Sequence, residues 1–391
     1  MKSGVFSSKS MFPILALCVI LSTALRPAEK YLGSSIWVFV YAAVVFGLLA
    51  LLRISFQTRR VLLSKRFVWS VVAIFAAVSA YFYEAADSLK NSMQGQDQDD
   101  CTIIVIKQLL VLDFPYDETS YFGNPCSPLF GALVPYIPFV ILGAFFAANS
   151  VLLLTSTWLG FKLTRPSHEF ALTILITLGI PQTLELMVNG SDLVFIGLGV
   201  LLLAQLMTKA ESNSKLLIWA TILAGLLSSS RVSMPILGAA YLIWLFFRHK
   251  QRVLPHLAII SLVGLLPSAI LFIANPDEFS PLHLVAKSQS LVPGPWYFAM
   301  VSATIMGFAL GARLAKSNSD AITFLSVAFA PHLLFLSFGD LVFNRQFDYF
   351  NWEGASYLML VTPMFALVIA RWLLRSLGDV VSLKKKAVYP I

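Results

Sequence analysis

Some twelve stretches of this chain approach the length of a bilayer crossing while carrying few or no charges. They lie at 11–25, 34–52, 67–83, 130–160, 168–187, 193–208, 216–229, 232–247, 254–274, 297–315, 320–338 and 356–376. About 20 apolar residues in an α-helix span the ~30 Å hydrocarbon core of a membrane. The expected fold is therefore all-α: a polytopic membrane protein with about 10–12 transmembrane helices. The stretches at 216–229 and 232–247 are short and read either as two spans or as one broken unit.

Charged residues make up 12% of the chain against 58% hydrophobic, about half the charge of a soluble domain. No internal repeat and no low-complexity linker divides it, so residues 1–391 read as a single integral-membrane domain. Lysine and arginine mark the cytoplasmic side. The connection with Arg53, Arg59, Arg60, Lys65 and Arg66 has no acid and is expected inside. Alternating from it puts Lys162/Arg165, Lys209/Lys215, Arg248/Lys250/Arg252, Arg313/Lys316 and the basic tail 377–391, with Lys384 to Lys386, on the same side. Both termini are then cytoplasmic, in a bacterial cytoplasmic membrane. The net charge of +8 reflects this topology and implies no nucleic-acid partner. Lys2 and Lys9 before the run from Met11 to Leu25 mimic a signal peptide, but the many later spans favour an uncleaved first helix.

The opposite face carries the long connections 84–127, 275–296 and 339–355, and such loops are where function concentrates. Eight of the 20 carboxylates fall in the first: Glu84, Asp87, Asp97, Asp99, Asp100, Asp113, Asp117 and Glu118, against Lys90 and Lys107. Within it, Cys101 to Leu112 is apolar almost all round and too short to span, so it is expected as a helix at the membrane interface, capped by Asp99 or Asp100. The prolines and glycine of Phe114-Pro115-Tyr116-Asp117 and Gly123-Asn124-Pro125-Cys126-Ser127-Pro128 then form turns into the next span. Cys101 and Cys126 share this outer loop; an oxidising compartment permits a bridge between them, and two unpaired thiols are the alternative.

There is no glycine-rich phosphate loop, HExxH, CxxC or GxSxG, and the five histidines form no metal-spacing cluster. What remains is a set of carboxylates and a few bases between apolar stretches. Asp97, Asp99 and Asp100 at the water boundary can act as general base toward a hydroxyl, or hold a divalent cation against phosphate oxygens. A helix cap with a solvated acidic turn would place the same residues there. Glu185, within an apolar run, is a functional candidate by its depth. Asp192 can cap the helix from Leu193. Asn189-Gly190-Ser191 matches a glycosylation sequon, in a loop so short that chance accounts for it. Arg231, between two short apolar stretches, needs an anion, a cavity or a snorkelling route, and phosphate suits a planar guanidinium. Arg345 and Lys287 are the other bases of the later outer loops.

In order and spacing these segments resemble the GT-C superfamily of integral-membrane glycosyltransferases, of a mannosyltransferase-like kind. The resemblance covers roughly 97–240, with a looser match at Tyr357 to Arg371. It rests on Asp99/Asp100 followed by Lys107-Gln108-Leu109-Leu110 and the Pro115-Tyr116 turn, then Gly123 to Pro128 entering a span. Gly190-Ser191-Asp192-Leu193 follows, with Ser191 where the family usually has Asn, and then Leu223-Ala224-Gly225-Leu226 leading to Arg231. The acidic loop follows the third span here, whereas the family's follows the first. The resemblance implies a polyprenyl-phosphate sugar donor, a glycan, lipid or protein acceptor, and an outer-loop aspartate as base. That role carries to Asp99, then Asp100 and Asp97. Arg231, Glu185, Asp192, Tyr116 and Arg345 are the expected substrate-binding residues. Rival functions are a transporter or flippase of lipid-linked sugars, or a surface-glycan polymerase or ligase.

Overall fold

A computed structural model describes residues 8–57, 64–92, 96–164, 167–210, 213–249, 253–283, 285, 292–317 and 320–374. Lys2, Arg59, Arg60, Arg165, Lys250, Arg252, Lys287 and the tail with Lys384 to Lys386 lie outside them. The described chain is helical, and its one β-type contact is an isolated bridge between Thr119 and Pro125. Among the described residues, six helices are long and apolar enough to cross a membrane, or eight if two sharply bent pairs each count as one. Four shorter apolar helices join them. The chain is an all-α, multi-pass membrane protein.

In order, the first helices are α1 (Ser8–Thr23), α2 (Leu25–Leu32), α3 (Trp37–Gln57), α4 (Lys65–Ser88) and α5 (Gln98–Leu110). Then come the short α6 (Phe130–Leu133) and α7 (Ile137–Ile141), followed by α8 (Ala148–Leu163), α9 (Ser167–Leu178), α10 (Pro181–Val188), α11 (Leu193–Ala210), α12 (Ser214–Ser228) and α13 (Pro235–His249). Further helices cover Val253–Ala274, Gly294–Lys316, Ala321–Asn344 and, bent, Gly354–Leu360 with Thr362–Leu374.

Several expected spans are divided, each where the local chemistry breaks a helix. The stretch 130–160 becomes α6, α7 and α8, because Pro135 and Pro138 remove backbone donors and Gly143 takes a left-handed φ of +64°. The stretch 168–187 bends by 72° between α9 and α10, at Gly179-Ile180-Pro181. The last span bends by 58°. The short stretches near 216–229 and 232–247 are two separate helices, α12 and α13.

α11 is the hub. It is the most buried of the candidate spans, and Gly197 lets the backbone of Met359 approach: a Cβ there would sit 2.1 Å from the Met359 carbonyl oxygen. Lipid offers no hydrophobic drive between helices, so close backbone packing of this kind carries the association. A similar contact joins α12 to the Val253–Ala274 helix, where a π turn at Ser261–Leu265 brings Gly264 onto the Gly225 carbonyl.

The bundle has two chemically distinct ends. At one, Lys65 stacks on Phe161, Lys209 Nζ donates to the Lys162 carbonyl at 3.0 Å, and Arg371 bridges Glu169 and Asp320. At the other lie the acidic loop, the 189–192 turn, residues 229–231 and the 275–283 segment, where Ser280 Oγ donates to the Cys126 carbonyl. Lys65, Lys162, Lys209 and Arg371 therefore lie at the end away from the acidic loop.

Candidate functional site

The acidic end is built where α4 runs out into a 3-10 turn, Leu89–Ser92, beside α5. Lys90 Nζ donates to Asp99 Oδ1 at 3.0 Å and Asp100 Oδ1 at 2.7 Å, and also pairs with Asp87. The Tyr83 hydroxyl donates to Asp99 Oδ2 at 2.6 Å. Asp99 is only 2% exposed, and burial pushes its carboxyl above the ordinary range against the opposing pull of Tyr83 and Lys90. α5 starts three residues before the expected interfacial helix, and this corrects the capping assignment. Asp97 occupies the cap position without bonding a helix N–H, and Asp99 and Asp100 fall in the first turn with their carboxylates turned to Lys90.

Oxygens of Asp87, Asp99 and Asp100 lie within 4.8 Å of one another, a spacing a divalent cation could use. The Lys90 ammonium already sits within bonding distance of all three and takes the place a cation would fill, so the cradle does not fit a metal while Lys90 holds that position. Asp97 is separate: it accepts from Ser120 and, at 2.9 Å, from Asn124 Nδ2, and so braces the following loop. Cys101 and Cys126 form a disulfide, with Cα atoms 5.0 Å apart, that ties α5 to the segment entering α6. Tyr116 also braces this segment; it donates to the Pro128 carbonyl at 2.9 Å, packs edge-on against Phe279, and burial raises its pKa.

Next to Asp99 lies the 189–192 turn. Gly190 has φ +68°, and a Cβ there would stand 2.7 Å from the Asp99 Cβ. Asn189 Nδ2 is bound to the Glu185 carbonyl at 2.7 Å and Asn189 is buried, which leaves the sequon no room for a glycan. The expected Asp192 cap is also corrected. The hydroxyl beneath Leu193 N–H is that of Ser191, at 3.4 Å, whereas Asp192 Oδ1 pairs with Arg231. Arg231 donates in addition to Ser127 Oγ at 2.7 Å. Both Asp192 and Arg231 are nearly sealed from solvent, so this one-to-one pair has no net charge to offer a phosphate.

Glu185 meets partners the sequence did not suggest. Its Oε1 pairs with Lys30 at 3.2 Å and accepts from Gln96 Nε2. Arg26, one turn before Lys30 on α2, donates to Ser356 Oγ at 2.8 Å, and Gln182 Nε2 donates to the same hydroxyl at 3.3 Å. Arg26, Lys30, Gln96, Tyr83 and the central role of Lys90 were missed. The one legible signal was the i, i+4 spacing of Arg26 and Lys30 at the end of the first apolar run.

A cavity of about 320 Å³ opens beside the Arg231 segment. Val232, Ser233 and Ile236 line one wall; Tyr297, Met300, His332, Ser337, Asp340, Asn344, Glu353 and Tyr357 line the rest. Tyr357 stands within electrostatic reach of Arg231. Arg345, an expected phosphate ligand, is held by Glu353 at 2.8 Å and lies 3.7 Å from Asp340, two carboxylates of this cavity. Asp99 is not among the lining residues. Comparison with protein-family models, with curated proteins and with solved structures found no match.

Proposed function

We propose that this protein is a membrane glycosyltransferase of the GT-C type. It would move a sugar from a polyprenyl-phosphate donor to an acceptor hydroxyl at the extracytoplasmic face. The observation that carries this is Asp99: a carboxylate sealed at the acidic end of an apolar bundle, with a pKa raised by burial, held by a hydroxyl and an ammonium rather than used as a helix cap. A base whose pKa is raised toward the working pH is better matched to proton transfer.

In the transfer, an acceptor hydroxyl displaces Tyr83 from Asp99 Oδ2 and gives the carboxylate its proton. The acceptor oxygen bonds to the anomeric carbon as the bond from that carbon to the phosphate oxygen breaks. The electron pair leaves with the lipid phosphate, and one displacement inverts the centre. Lys90 on Oδ1 keeps Asp99 ionised until the proton arrives. Asp100 shares Lys90 and ranks next; Asp97 braces the loop and ranks last. The cavity's apolar walls and few polar groups suit an amphiphilic ligand such as a lipid-linked sugar.

Asp99→Asn keeps shape and polarity but removes proton acceptance. Transfer in proteoliposomes should fall by roughly 10²–10⁴ with the thermal unfolding curve little changed. Near-normal turnover in this variant would overturn the proposal. One observation favours a transporter of lipid-linked sugars instead: two spans are broken, by 72° and 58°, and broken helices frame transporter sites. On that reading labelled lipid crosses between leaflets without a glycosylated product, and Asp99→Asn leaves the flux intact.

A further inference from the structure

Three buried charged clusters lie at the acidic end, and their charges balance differently. Lys90 faces three carboxylates, and Arg231 faces one. In the third, Lys30 on α2 pairs with the carboxylate of Glu185 on α10, while Arg26 one turn before it bonds only the Ser356 hydroxyl among the described residues. Arg26 is 8% exposed and forms no ion pair among the described residues; neither does Glu29 beside it. A guanidinium buried without a counter-charge is costly, more so in a membrane protein.

Four atoms of this cluster have no partner among the described residues: Arg26 Nε, Gln96 Oε1, Gln182 Oε1 and Glu185 Oε2. All four residues are more than nine-tenths buried. The amide nitrogens are committed, Gln96 Nε2 to Glu185 and Gln182 Nε2 to Ser356, so it is the oxygens that are left over. The cluster thus presents a buried guanidinium without a carboxylate and with one free donor, beside the unpartnered amide oxygens of Gln96 and Gln182 and a Glu185 carboxylate whose other neighbour is the Tyr31 hydroxyl. A bare anion answers the charge but repels the acceptors. Water or a polyol answers the acceptors and brings no charge. A phosphate joined to a polyol answers both.

We propose that the buried polar cluster between α2, α10 and Gln96 binds the headgroup of a phosphorylated polyol, with phosphate oxygens on Arg26 and Lys30 and hydroxyls donating to Gln96, Gln182 and Glu185. On the glycosyltransferase reading, on which this assignment of substrate class rests, that headgroup is the donor's sugar phosphate, and Arg26 rather than Arg231 is its anchor.

The test is calorimetric titration of the full chain in phosphatidylcholine nanodiscs with glucose 1-phosphate, inorganic phosphate and glucose. Glucose 1-phosphate should bind at least about tenfold more tightly than either fragment, and Arg26→Gln should weaken it roughly 10- to 100-fold. Gln96→Leu, on a connecting segment, covers the case in which Arg26→Gln fails to fold; it should weaken glucose 1-phosphate and leave inorganic phosphate unchanged. Phosphatidylglycerol added to the nanodisc separates the sources: competition assigns the pocket to a lipid headgroup, and its absence assigns it to a soluble sugar phosphate. The proposal is overturned if neither glucose 1-phosphate nor phosphatidylglycerol binds, if inorganic phosphate matches glucose 1-phosphate, or if both variants bind like the parent. No turnover enters these readings. Binding without transfer keeps the pocket and removes the glycosyltransferase; transfer with unaltered affinity in both variants does the reverse.

Discussion

The Lys90 cluster and the Arg26–Lys30 cluster flank the same stretch, α10 and its 189–192 turn, yet they are opposite in charge. One holds three carboxylates around a single ammonium; the other holds a Lys30–Glu185 pair and, beside it, Arg26 with no carboxylate partner among the described residues. Between them the Arg231–Asp192 pair is neutral. The contrast separates what is available to a ligand from what holds the fold. A neutral buried pair has its charges cancelled even where, as here, Asp192 Oδ2 and Arg231 Nε keep no hydrogen-bond partner among the described residues, whereas a cluster with a surplus must recruit something of opposite sign or donate what it has in excess.

The strongest way to break this comparison is to unbalance the neutral pair. Asp192→Ala leaves Arg231 buried without its carboxylate and should cost about 3–5 kcal/mol of stability, read by thermal unfolding in detergent. Asp192→Ala with Arg231→Met should recover much of that loss. A single variant as stable as the parent would show that the pair does not hold the fold.

Next in size is the disulfide. Cys101→Ser with Cys126→Ser should cost roughly 3 kcal/mol in the chain-entropy account. Hydrogen exchange should report the loss in α5 and leave α10 protected, because the bridge closes only the acidic side. Equal loss of protection in both helices would mean that the two clusters are one cooperative unit.

Gly190→Ala forces a Cβ against Asp99 at a left-handed φ and should cost about 1–3 kcal/mol. Its effect on transfer should exceed its effect on glucose 1-phosphate binding, since the displaced group belongs to the acidic cluster.

The smallest effect is a pH dependence. The folded pKa of Asp99 is raised above 3.8, so over a window starting near that value the folded state holds a proton that the unfolded chain has released. Stability should therefore fall as pH climbs from there through the raised value and level off above it. Asp99→Asn should remove that limb from a pH series of unfolding midpoints. An identical series in parent and variant would place Asp99 in a more solvated setting than its 2% exposure implies.

The acidic cluster was half legible because it is local: Lys90 and Asp99 are nine residues apart, and the run of acids marks itself. The sequence also suggested the Cys101–Cys126 pairing, and the structure resolves that choice in favour of the bridge. Of the cationic cluster only Glu185 was marked by the sequence, through its depth in an apolar run; its partners were hidden because the bonds join residues 155 and 330 positions apart. The breaks were hidden in another way. Composition registers hydrocarbon but not direction, so a 72° bend at Pro181 leaves an apolar run looking whole.

The sequence by itself determined the helical class and the approximate spans, because the length of an apolar run is a property of a short segment. Which charge meets which was decided only by the tertiary structure. Asp192 offers the same carboxylate to a helix N–H or to a guanidinium. It goes to Arg231 because the bundle brings that cation beside it, and an unpaired charge in so apolar a surround costs more than leaving the helix end to the longer bond with Ser191.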